Sequence, residues 1–188
     1  MTTHPQNGSS PRRKARPLDA ARLQELALAY VARFATSAGK LEAYLQRKLR
    51  ERGWEGEDRP DIPALVTKYV TAGYVDDEAW ARSKSGSLLR RGYGMRRISQ
   101  ELGAAGIDGD LREAVRPAQA EQRSAALALA RKRRFGPFGA EPLDRPRREK
   151  QIAAMLRAGH ALDSARELVN APTQEAAEDW AAQGDEGL

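Results

Sequence analysis

The sequence predicts an all-α protein built as three tandem three-helix repeats that form an elongated, curved modular array. Two observations predict it. Between the termini, apolar residues recur three and four positions apart almost without interruption. Helix stops also fall at matching places. Leu45-x₃-Leu49-x₃-Gly53 aligns with Ile98-x₃-Leu102-x₃-Gly106, and more loosely with Gln151-x₃-Met155-x₃-Gly159. The helices that follow, around LVTKYV, LREAV and ARELV, align as well.

In order along the chain, residues 1–17 are Pro-, Ser- and Arg-rich without periodicity and read as a disordered basic tail. Repeat one covers 18–75. Asp19 caps a helix bearing Leu23, Leu26, Ala27, Tyr30 and Phe34. A second helix carries Leu41, Tyr44, Leu45 and Leu49 and stops at Gly53. After the loop WEGEDRP, Asp61 caps a third with Ile62, Leu65, Val66, Tyr69 and Val70, ended by Gly73. Pro63 is tolerated there because first-turn amides lack intrahelical partners.

Repeat two covers 76–117. It has a helix over 78–91, the break Gly92-Tyr93-Gly94, and a helix through Met95, Ile98, Leu102 and Ala105. A short helix capped by Asp108 or Asp110 then closes at Pro117. Repeat three covers 118–170, with helices over 118–134, 147–158 and 164–170 and the break FGPFGAEPLDRP. Residues 171–188 read as an acidic, largely disordered tail with a short helix near Glu175–Trp180 that adds little to a core.

Composition bounds the function. The 188 residues are 40% hydrophobic, 31% charged and 6% aromatic, so a core must consist mainly of Leu, Ala, Val and Ile. No apolar run approaches the roughly 20 residues of a membrane span, and the first residues lack the apolar stretch of a secretory signal. The expected location is the cytoplasm. The lack of cysteine excludes disulfides and thiolate metal sites. The net charge of +6 is uneven: residues 1–17 hold four bases and no acid, while 171–188 hold five acids and no base. A basic body with an acidic tail points to a polyanionic partner, nucleic acid first.

The stretch GYVDDEAWA sets Asp76, Asp77 and Glu78 in a row. Such a row suggests Mg²⁺ binding and phosphotransfer. Successive helical side chains diverge, however, so Asp76 and Asp77 read as structural helix caps. Of the two histidines, His160 takes the place of Trp54 and Ile107 in the other repeats and reads as a packing residue. No triad, zinc site or phosphate loop can be assembled, so no catalytic residue, metal or cofactor is expected. Residues 82–97 hold six bases (Arg82, Lys84, Arg90, Arg91, Arg96, Arg97) and no acid. A second block, Arg131-Lys132-Arg133-Arg134, precedes Phe135, and residues 145–150 add Arg145, Arg147, Arg148 and Lys150. Two basic clusters in different repeats suit an extended groove along a filament or strand, with Tyr93, Phe135 and Phe138 nearby as stacking groups, although Phe135 reads more readily as a core residue.

The run AGYVDDEAWARSKSGSLLRRGYGMRRISQELGAAGID resembles the signature of the RecX family of RecA regulators. Its parts are Gly73–Asp77, the Gly92/Gly94 turn, Arg97-Ile98, Glu101-Leu102 and Gly106-Ile107; Tyr44-Leu45-x-Arg47-Lys48-Leu49 resembles the family's first repeat. The resemblance implies a modular all-α protein, and the expectation is a non-enzymatic regulator that acts as a monomer. The resemblance also implies binding in the groove of a RecA nucleoprotein filament and suppression of ATP hydrolysis, strand exchange and coprotease activity, with some contact to single- or double-stranded DNA. The competing reading of the residues is a direct DNA-binding helical protein, such as a transcriptional regulator.

Overall fold

The computed structural model describes residues 16–140 and 143–183; the rest of the expected tails, 1–15 and 184–188, lies outside the described residues. Ten α-helices follow one another, with no strand among the described residues. Local signals set most boundaries. Asp19 Oδ1 accepts the Arg22 amide at 2.8 Å and opens α1 (Ala20–Arg33). Ser37 opens α2 (Ala38–Arg52), and Asp61 opens α3 (Ile62–Thr71) by accepting from Ala64 N at 2.9 Å. Next come α4 (Asp77–Arg90), α5 (Met95–Ala104) and α6 (Gly109–Ala114), the last capped by Asp108 rather than Asp110. At α1, α2, α3, α4 and α6 a side-chain oxygen satisfies one of the amides that the first turn leaves free, whereas α5 starts at Gly94 without such a cap. α7 (Gln119–Arg133) leads into a 3₁₀ turn over Gly136–Phe138, followed by α8 (Arg145–Arg157), α9 (Leu162–Asn170) and α10 (Gln174–Ala182). Gly53, Gly106 and Gly159 end α2, α5 and α8 with φ of +80°, +80° and +97°, a left-handed conformation that favours glycine.

The buried apolar residues fall into three clusters rather than one core. The first joins α1–α3, from Leu18 to Val75, and the second centres on Ala81, Leu88, Ile98, Leu102 and Val115. The third holds Ala126, Met155, Leu168 and Val169. α7 serves two of them: Ala125 belongs to the second cluster and Ala126 to the third. Its alanine-rich sequence lets neighbours approach from both sides.

Two expectations need correction, and the structure adds one contact that the spacing does not predict. The C-terminal segment is not largely disordered over 174–182: α10 packs along α7, with Ala177 and Ala181 buried and Trp180 against the third cluster. Small alanines are weak signals in a sequence, yet they allow two helices to lie close together. Leu18 is fully buried and pairs with Trp54 through Leu18 N to Gly53 O (2.9 Å) and Glu55 N to Leu18 O (2.8 Å), covering the free end of α2. Phe34 and Val70, placed on apolar stripes by their spacing, are instead largely exposed.

The modules meet end to end through their middle helices. The amino end of α2 abuts the carboxyl end of α5, where the Ser37 hydroxyl donates to Ala105 O at 2.6 Å. A Cβ on Gly39 would lie 2.7 Å from both Ala105 O and Gly106 Cα. The amino end of α5 abuts the carboxyl end of α8, where Gly94 N donates to Ala158 O (2.9 Å) and Arg96 N to Gly159 O (3.1 Å). At the α5/α8 contact, amides left free at a helix start meet carbonyls left free at another helix end, and at both contacts the macrodipoles align favourably.

Candidate functional site

The three acidic residues that open α4 go to three different partners. Asp76 Oδ1 accepts from Ala79 N at 2.8 Å, in its own helix. Asp77 does not cap α4: its Oδ1 accepts from Ala38 N at 2.7 Å, in the first turn of α2. Glu78 pairs with Arg82 at 2.7 Å one turn on. The first carboxylate opens α4, the second ties two modules together and the third neutralises a cation. Among the described residues no group of acids and histidines converges as a metal would require.

The ten basic residues singled out from sequence divide by environment. Arg82 is held by Glu78, and both Lys84 and Arg97 reach Glu101, at 3.4 and 2.9 Å. Arg131 pairs with Glu178 of α10 and lies over the Phe138 ring. Arg90 is exposed in the last turn of α4. Arg134 takes the left-handed position that ends α7, with φ of +55°.

The remaining four gather at the junction between α5 and α8. Arg91, Lys132 and Arg133 line a cleft of 310 Å³ together with Tyr93, Phe135 and Arg157. Arg96 and Arg97 line an adjoining cleft of similar size, and Arg157 lines that one too. Arg157 is the residue that the sequence reading missed. It stands alone between Leu156 and Ala158, so no run of charge marks it, and only its position two residues before Gly159 sets it at the junction.

No acidic residue lines either cleft among the described residues, although Arg97 keeps its partner Glu101. Arg91 lies over the Tyr93 ring, 5.2 Å from its centroid. The side chains of Arg96, Lys132, Arg133 and Arg157 have no ion pair among the described residues, so their charges remain available to an anion. Repulsion among like charges is a cost in the free protein that a polyanion would relieve.

Beneath the clefts His160 is 3% exposed, and its Nε2 donates to Gly92 O at 2.9 Å. Burial holds the imidazole below its ordinary 6.5, against the opposing effect of the Gly92 bond, so the neutral ring is the form that pins the turn. The basic surface therefore rests on a neutral, hydrogen-bonded support.

Comparison with known proteins gives the relatives of the chain. Residues 76–115 match the family model described as RecX, second three-helix domain. The chain is 32% identical over 157 residues to a regulatory protein RecX of Myxococcus xanthus, covering 79% of this chain and 84% of that protein. A second, from Agrobacterium fabrum, is 32% identical over 143 residues, covering 73% and 76%. The crystal structure of RecX from Lactobacillus salivarius matches with a TM-score of 0.61 at 20% identity, over 77% of this chain and 90% of that one, which is a likeness of fold.

Proposed function

The chain belongs to the RecX family of regulatory proteins, and from that premise we propose that it binds a RecA nucleoprotein filament through the basic clefts where α5 meets α8. In this reading the protein is a cytoplasmic monomer that catalyses no reaction. Its modules, 18–75, 76–117 and 118–170, lodge in the filament groove and inhibit ATP hydrolysis, strand exchange and coprotease activity. It thereby regulates recombination, DNA repair and the SOS response.

The observation that carries the reading is the gathering of Arg91, Arg96, Lys132, Arg133 and Arg157 in adjoining clefts that no carboxylate among the described residues lines. These cations come from α5, α7 and α8 and from the turn after α4, so only the assembled junction presents them together. A filament offers phosphates and acidic side chains at repeating positions, and preferential binding to one filament state shifts its population toward that state.

The test is a RecA ATPase assay on single-stranded DNA with the wild-type chain and an Arg96→Glu/Arg157→Glu variant. Wild-type protein inhibits, and the variant requires at least about tenfold more protein for the same inhibition. Equal potency of the two proteins refutes the site. Tyr93 and Phe135 in the cleft favour direct DNA contact as the second reading, including a role as transcriptional regulator. Tight, sequence-dependent duplex binding without RecA would decide for it.

A further inference from the structure

A separate cavity of 220 Å³ opens within the second module, between α4, α5 and α6. Met95, Ile98, Leu102, Val115 and Pro117 make its wall apolar. Ser85 of α4 also lines it; this residue is 3% exposed, and its hydroxyl has no hydrogen-bond partner among the described residues. Buried hydroxyls are nearly always partnered, and leaving one unpartnered is unfavourable.

The rim is charged. Arg96, Arg112 and Arg116 stand there against a single carboxylate, Glu113. Arg116 is paired to Glu113 at 3.1 Å, and Arg112 donates to Asp108 O at 3.1 Å and to Ser99 Oγ at 3.4 Å. Arg96 has no ion pair among the described residues, which leaves a net positive rim over an apolar interior. The volume falls below the roughly 300–1,000 Å³ of small-molecule sites and has the scale of one large side chain.

We propose that this cavity receives a tyrosine or tryptophan side chain from an acidic segment of a partner protein. The ring lies against the apolar wall, its O–H or N–H meets the Ser85 hydroxyl, and flanking carboxylates meet the rim arginines. Aromatic anchors seated in such pockets dominate interface energies, with the surrounding charges setting orientation and choice of partner. The proposal goes beyond the filament reading: it needs only a partner of this chemistry, and the cavity shares just Arg96 with the basic clefts.

The test is a titration of the ¹⁵N-labelled full chain with three blocked peptides, Glu-Asp-Tyr-Asp-Glu and its versions with Phe or Ala at the centre. The Tyr peptide should move the amides of Ser85, Ser99 and Val115 and bind at least about tenfold tighter than the Ala peptide. Ser85→Ala should reduce the Tyr peptide to the affinity of the Phe peptide and leave the Phe peptide unchanged. Equal affinity of the Tyr and Ala peptides for the wild-type chain, or shifts confined to Arg133 and Arg157, would overturn the proposal.

Discussion

The two junctions between modules solve the same problem with different groups. Where α2 meets α5, side chains do the joining: Ser37 donates to Ala105 O, and Asp77 reaches across from the second module to Ala38 N. Where α5 meets α8, the main chain does it, through Gly94 N and Arg96 N, and His160 braces the turn at Gly92 from below. The first junction thus uses a carboxylate in its structure. Among the described residues no carboxylate lines the second, and apart from Arg97, which Glu101 holds, the cations around it carry no ion pair. Stacking helices end to end does not itself require charge, so the charge at the second junction calls for a functional explanation.

The largest test of this contrast is Gly94→Ala. The added Cβ would sit 2.3 Å from Gly159 C, backbone against backbone, so the junction must open. A loss of about 3 kcal/mol or more is expected in urea unfolding, the upper range for overpacking. A loss below 1 kcal/mol would show that the junction yields easily. Charge reversal at Arg133 comes next: it leaves every main-chain bond of the junction in place, so unfolding should be unchanged. RecA inhibition should weaken by about tenfold, or about 1.4 kcal/mol. Asp77→Ala acts on the first junction alone. It removes the acceptor of the Ala38 amide and should cost about 1 kcal/mol, with RecA inhibition affected less than by the Arg133 change. Asp77→Asn retains an acceptor oxygen and should recover part of the loss.

Acid provides a smaller, graded probe of the second junction. His160 has a folded pKa depressed below 6.5, so as pH falls past 6.5 the unfolded chain takes up a proton before the folded one does. The His160 contribution is therefore fully present above 6.5 and is lost progressively as pH falls through the folded value. Urea midpoints at pH 7.5 and 5.5 should separate more for wild type than for His160→Gln, and equal separations would remove His160 from the account. The smallest change lies away from both junctions. Gly86→Ala in α4 places a Cβ 3.3 Å from Arg90 Nη1, the movable end of a long side chain. It should stabilise by up to about 1 kcal/mol, seen as a rise in Tm.

Much of the fold was legible because its signals are local. Asp19, Asp61 and Asp108 each accept from an amide three residues on, and such a relation can be read from sequence. The junctions are not local: Ser37 and Ala105, like Gly92 and His160, are 68 residues apart. Repeat alignment located Gly53, Gly106 and Gly159 but could not reveal which helix start would rest on each of the last two. The same distance explains the mixed reading of the basic residues. Arg82 and Arg131 look equivalent in a charge count, yet Glu78 and Glu178 neutralise them. Arg157 stands outside any run and is brought in only by folding.

The main-chain bonds at Gly94 and Gly159 have a consequence for how this surface can change. Side-chain identity at 96 or 158 does not enter those bonds, since every residue brings the carbonyl and every residue but proline the amide. Mutation can therefore alter the decoration of the cleft without disturbing the alignment of the two helices beneath it. Architecture and recognition are written in separate parts of the same few residues, so a lineage can retune its partner while two glycines hold the scaffold.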